Sequence, residues 1–185
     1  VTPSVHQGPA ATRPLTIWVL NWSEVVPTEG SDYRAQRAAM LCRCISDAGH
    51  CVTWWTSTFD HTRKTQRSGT DACIQINERF TVRLLQAPGY RHNISIKRLW
   101  DHVVGAKRFL AAAPEAPKPD LLFVSLPTIE FAAAGCQYAS RLGIPVVVDV
   151  RDLWPDVLFD LIPRRIQWAR RLIFAPYEKL ACYSC

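Results

Sequence analysis

Asp149-Val150-Arg151-Asp152-Leu153-Trp154-Pro155-Asp156 sets three carboxylates and a guanidinium within eight positions, directly after the apolar run Val146-Val147-Val148. Charge at the end of an apolar strand must be solvated, paired or used, because burying it unpaired is expensive. One reading pairs Arg151 with Asp149 or Asp152 as a structural ion pair, with Trp154-Pro155 packing the turn. The other lets a carboxylate and a guanidinium flank a charged, reacting substrate. Two further stretches carry chemistry. "SLPTIE" presents Ser125 at a strand end, then Thr128 and Glu130 at a helix start. That is a helix cap with favourable first-turn charge, a hydroxyl-recognition site, or both. "PTEGSDYRAQR" leads into a helix whose first amides would attract an anion. Glu29, Gly30 and Arg34 are its candidates for substrate contact, and Gly30 reads equally as an ordinary turn glycine. Arg34 and Arg37 either face a phosphate or are solvated.

The elements that must position these groups follow from pattern. "LTIWVLN" (residues 15–21) and "CVTWWTS" (51–57) are short, β-branched and aromatic, as buried strands are. Between them, apolar residues at Ala38, Leu41, Cys42, Ile45 and Ala48 recur at helical steps, and Gly49 is placed to end that helix in a left-handed conformation. "FDHTRKTQRSGTD" reads as a polar, basic loop, and its Arg63, Lys64 and Arg67 as a solvated face. "FTVRLLQA" (80–87) is a third extended run. A second amphipathic helix carries Ile96, Leu99, Trp100, Val103 and Leu110 and stops before "PEAPKPD". "LLFVSL" and "IPVVVDV" are strands on either side of a helix from Pro127-Thr128 to about Arg141. A further helix is expected from Pro163. Strands alternating with helices predict an α/β, three-layer Rossmann-like domain with a mainly parallel sheet, with ligands at the strands' carboxyl ends.

With 185 residues, about half of them apolar, the chain can bury a core. Its net charge of +6 favours anionic partners. The absence of GxGxxG and GxxxxGK[ST] argues against a nicotinamide dehydrogenase and a P-loop nucleotidase. The absence of RNP and helix-turn-helix patterns argues against nucleic acid. Seven cysteines without a secretory signal read as reduced, mostly buried thiols. Cys182-Tyr-Ser-Cys185 lacks a second pair at zinc spacing and the five histidines form no HxxxH, so no metal is expected. No apolar run is long enough to span a membrane. Residues 1–14 read as a flexible leader and 15–185 as one domain. Arg164, Arg165, Arg170 and Arg171, on an amphipathic stretch, suit peripheral contact with an anionic membrane.

Four blocks carry a family resemblance: "PTEGSDYRAQRAAMLCRCISDAGHCVTWWTSTFDHTRK", "LLQAPGYRHNISIKRLWDH", "PDLLFVSLPTIEFAAAGCQYASRLGIPVVVDVRDLWPD" and "YEKLACYS". Together they cover most of residues 16–185. The chain resembles the N-terminal domain of GT-B glycosyltransferases of family 4 (group 1), especially bacterial enzymes that build surface polysaccharides such as lipopolysaccharide. The resemblance implies the acceptor-side half of a retaining, metal-independent enzyme. Its substrates would be a nucleotide-sugar donor and a glycan acceptor, without a cofactor, in the cytoplasm; the +6 charge and Arg164–Arg171 add the expectation that the acceptor is a polyprenyl diphosphate-linked sugar at the inner membrane face. It implies that Gly30 approaches the donor diphosphate, and Asp152 matches the family's pattern; Asp152 and Arg151 are further expected as the catalytic pair that positions the acceptor hydroxyl and the leaving phosphate, with Asp149 as a substrate-binding neighbour. Many members have His-Asp where this chain has Arg151-Asp152, so a histidine's role is not carried over. A C-terminal donor-binding domain, absent from these residues, is expected to complete the site. A non-catalytic module that docks a separate donor-binding partner is the rival expectation.

Overall fold

Thr16–Leu20 and Cys51–Ser57 consist largely of β-branched and aromatic residues, which fit a pleated surface buried on both sides. In the computed structural model, which describes residues 13–27, 34–93 and 95–151, they are β1 and β2 at the centre of a six-stranded sheet. The remaining strands are the short hairpin β3 (Phe59–Asp60) and β4 (Thr65–Gln66), then β5 (Ala72–Asn77), β6 (Phe80–Leu85), β7 (Leu121–Ser125) and β8 (Val146–Asp149). The helices are α1 (Arg37–Asp47), α2 (Ile96–Ala112) with a 3-10 turn at Ala113–Glu115, and α3 (Ile129–Leu142). No helix among the described residues is long and apolar enough to cross a membrane.

The sheet runs β5-β6-β2-β1-β7-β8, parallel throughout except for β5, which pairs antiparallel with β6. Parallel strands are therefore laid outward from β1 through β2 to β6, after which the chain returns to β1's other side with β7 and β8. Such a reversal leaves a crevice at the carboxyl ends of β1 and β7. Alternate residues of each strand serve opposite faces. Val19, Trp54 and Val82 pack with Ala38, Ala39 and Cys42 of α1. Trp18, Leu20, Trp55, Leu122 and Val124 pack with α2 and α3 on the other side. Helix, sheet and helix make the expected three layers. Gly49 (φ 88°) and Gly143 (φ 63°) take the left-handed turn after α1 and α3, where a Cβ would be strained.

The sheet's aromatic face is tightly interlocked. Trp18 lies 5.0 Å from Trp55, and Phe109 meets both edge-on. Such pairs contribute about 0.5–1.5 kcal/mol each beyond burial. Trp22 packs on Phe131 at 4.6 Å, and the outer edge of its six-membered ring lies against Gly105 of α2. A Cβ at Gly105 would fall 2.2 Å from that indole. The ring is also fixed by its N–H bond to Asp101, so it has little room to slide. Gly105→Ala is expected to cost about 2–3 kcal/mol by overpacking, read from the urea midpoint at unchanged slope.

Four expectations require correction. "FDHTRKTQRSGTD" is not all loop, because it contains the β3–β4 hairpin. Arg67 is not solvated: its buried side chain pairs with Asp60 at 3.7 Å and donates to the Phe59, Ser57 and Glu24 carbonyls. On α2 the period is right, but of the expected stripe Leu110 packs against the core while its N-terminal members do not. Asp101, His102, Gly105, Ala106 and Phe109 are buried, while Ile96 and Trp100 are 85% and 57% exposed. Small residues bring α2 close to Trp22, and bonds to Asp101 turn that side inward. Among the described cysteines, Cys42 is buried on α1, whereas Cys44, Cys51 and Cys73 are exposed. The leader, the helix expected from Pro163 and the Arg164–Arg171 stretch lie outside the described residues.

Candidate functional site

The carboxyl ends of β1, β7 and β8 converge on Arg151. Its Nε donates to Asp149 Oδ2 at 2.7 Å, Nη1 donates to Glu24 Oε1, and Nη2 reaches Ser125 Oγ at 3.4 Å. Asp149 also meets Arg37 Nη2 at 3.3 Å. Glu24 is held on every side. Its amide bonds to Asn21 Oδ1, its Oε2 accepts from the Ala38 amide at 2.8 Å in the first turn of α1, and its carbonyl accepts from Arg67. The carboxylate thus caps a helix at its positive end while neutralising a buried arginine.

Side-chain exposures of 9% for Glu24, 13% for Asp149 and 17% for Arg151 make this a mostly desolvated group. Burial works to discharge Arg151, but the hydrogen bonds and charges of Glu24 and Asp149 outweigh it and raise its pKa above the ordinary arginine value. The guanidinium stays cationic. Of its five N–H groups, the described residues engage three, one on each nitrogen. A charge fixed in plane at a strand-end crevice can orient an anionic or hydroxylated ligand without reorganising when charge develops.

Of the sequence-derived candidates, Arg151, Asp149 and Ser125 meet here, and the Arg151–Asp149 ion pair is present. Arg34 is exposed on the segment ahead of α1. Thr128 occupies the N-cap position of α3 and is buried, but its side chain makes no capping bond. Glu130 is buried in the first turn of α3, where it pairs with His102 Nδ1 at 3.3 Å on α2. Glu29, Gly30 and Asp152 lie outside the described residues. The sequence reading passed over Glu24, although Asn21-x-x-Glu24 just past a strand is a spacing that closes a side-chain turn ahead of a helix. It gave Arg37 two readings, and the contact with Asp149 settles that it reaches the cluster.

A second group of polar side chains occupies the same edge of the sheet, beyond β2 and β6. Asp101 of α2 accepts from Trp22 Nε1 at 2.9 Å and from the Gly89 amide at 2.8 Å, and it is fully buried. Burial raises its pKa, and those two bonds only partly offset the rise. Tyr90 Oη contacts His61 Nδ1, and burial pushes that tyrosine up to about 12. Burial, then the positive charges of Lys64 and Arg98, push His61 down to about 4, so it is neutral at pH 7.

Residues 35–182 match the family described as Glycosyl transferase 4-like domain. A comparison with curated proteins gave no match.

Proposed function

The chain belongs to the glycosyl transferase 4-like family, and on that footing we propose that it forms the acceptor-side half of a retaining glycosyltransferase. The reaction moves a sugar from a nucleotide-sugar donor to a lipid-linked glycan in surface polysaccharide synthesis, at the cytoplasmic membrane face. The single observation that carries this reading is Arg151, held cationic by Glu24, Asp149 and Ser125 at the strand-end crevice beside β1. In the proposed mechanism Arg151 stabilises charge developing on the leaving diphosphate. Asp152 orients the acceptor hydroxyl, and Gly30 lets the loop backbone approach the phosphates. Rate acceleration then comes from positioning and fixed charge. The donor is a substrate, no cofactor or metal enters, and a second domain supplies the donor-binding wall.

The test is a screen of nucleotide sugars with a polyprenyl diphosphate-linked acceptor on the full-length protein. Transfer with retained anomeric configuration is expected, falling about a hundredfold in Arg151→Lys and in Asp152→Asn. Unchanged rates in both variants would remove the proposed site, and no transfer from any donor would remove the enzyme. One observation favours the rival binding module: Glu24, Asp149 and Ser125 hold three edges of the Arg151 guanidinium, as a purely structural latch requires. That reading expects acceptor binding without sugar transfer.

A further inference from the structure

Between the β3–β4 hairpin and the start of α2 lies an open cleft of about 610 Å³, separate from the Arg151 cluster, in the size range of small-ligand sites. Its lining includes Lys64, Arg91, His92 and Lys97, with Ser95 and Ile96 at the helix start. Among the described residues, no carboxylate lines it. The acids of neighbouring elements are occupied elsewhere. Asp60 accepts the Thr62 and Arg63 amides and pairs with Arg67, and Asp101 holds Trp22 and Gly89. The cleft's positive field is felt inside the protein, since the charges of Lys64 and Arg98 add to burial in depressing His61. Lys64 is aimed by its backbone. It has a positive φ of 57°, and its ammonium sits 4.6 Å from the centre of the Tyr90 ring while donating to Asn93 Oδ1.

The rim differs from the floor. Ile96, Leu99 and Trp100 lie at helical i, i+3 and i+4 positions on the exposed side of α2, and all three are exposed. Exposed apolar side chains at consecutive helical steps beside a basic cleft suit a ligand with an anionic head and a hydrocarbon tail. We propose that this cleft binds the phosphate or diphosphate group of a lipid, with the first hydrocarbon units resting on Ile96, Leu99 and Trp100. The proposal rests on the transferase reading only for the ligand's role. If that reading holds, this is where the acceptor's lipid phosphate sits while its sugar extends toward Arg151.

Calorimetric titration of the full chain with inorganic pyrophosphate, geranyl diphosphate and geraniol separates the possible sources of affinity. Geranyl diphosphate is expected to bind at least tenfold more tightly than pyrophosphate, and geraniol not at all. Lys64→Gly, which also relieves the left-handed backbone and so keeps the melting temperature, weakens both diphosphates at least tenfold, as does Lys97→Gln. Trp100→Ser, at an exposed position, weakens geranyl diphosphate alone. Equal affinity for the two diphosphates with no effect of Trp100→Ser would overturn the proposal, and so would binding that ignores Lys64 and Lys97. Absence of saturable binding would overturn it too. Because the readout is binding, a failed transfer screen leaves this result intact. Conversely, transfer that ignores the cleft variants would sink the cleft and spare the transferase.

Discussion

Arg151→Ala is expected to lose about 3–4 kcal/mol of unfolding free energy, the largest change for any single side chain at the cluster. Removing the guanidinium strands Glu24 and Asp149, two mostly buried carboxylates, without the cation between them. Breaking a buried ion pair from one side costs about 3–5 kcal/mol, more than the intact pair contributes. The lower part of that range applies because Glu24 keeps the Ala38 amide and Asp149 keeps Arg37. The measurement is denaturant unfolding of Arg151→Ala, and of Arg151→Met, Glu24→Gln and the double variant Glu24→Gln/Arg151→Met. The double variant, which removes charge on both sides, should recover at least about 1 kcal/mol relative to the sum of its single changes. Strict additivity would mean that the two side chains do not interact energetically.

Asp101→Leu carries the second large effect, about 3 kcal/mol. Leucine has a suitable shape for the site and no acceptor, so the Trp22 indole N–H and the Gly89 amide would both be buried unsatisfied, at about 1–3 kcal/mol each. Release of the carboxylate's own desolvation cost offsets part of that sum. Asp101→Asn keeps one acceptor oxygen and should cost roughly half as much. The pH dependence has a definite sign. A folded-state pKa raised above the unfolded value favours the native state at low pH, and that benefit is lost as pH rises through the raised value. The parent therefore regains stability on acidification from this one group, and Asp101→Asn does not. Identical acid limbs in the two proteins would contradict the assignment.

The layers and the strand-end location of the charges were legible because strongly patterned segments dominate. β2 matches its expected bounds of Cys51–Ser57, and Gly49 and Gly143 end their helices as their type requires. What escaped was set by tertiary contact. Periodicity fixes the repeat of α2 but cannot tell an apolar stripe facing the sheet from one facing water. The choice was made by Gly105, Ala106 and the bonds to Asp101, which local pattern ranks as polar or neutral. β5 carries a two-residue alternation in Ala72–Asn77, yet it adjoins a basic loop that masked it. Glu24 was missed for a related reason. One acid in a loop has no periodic signature, and its importance comes from Arg151, brought beside it only by the sheet order.

That pairing also has a kinetic consequence. The Arg151–Glu24 bond closes 127 residues of chain, whereas Arg151–Ser125 closes 26. For a bare chain the longer closure costs about 1.4 kcal/mol more in lost entropy. The penalty shrinks once β7 has zipped onto β1 and β8 onto β7, since few free residues then separate the partners. The cluster therefore closes after the sheet, as a clasp rather than a nucleus. Weakening it should leave the folding rate nearly unchanged and appear as faster unfolding. The side chains proposed for catalysis then also set how long each folded molecule lasts.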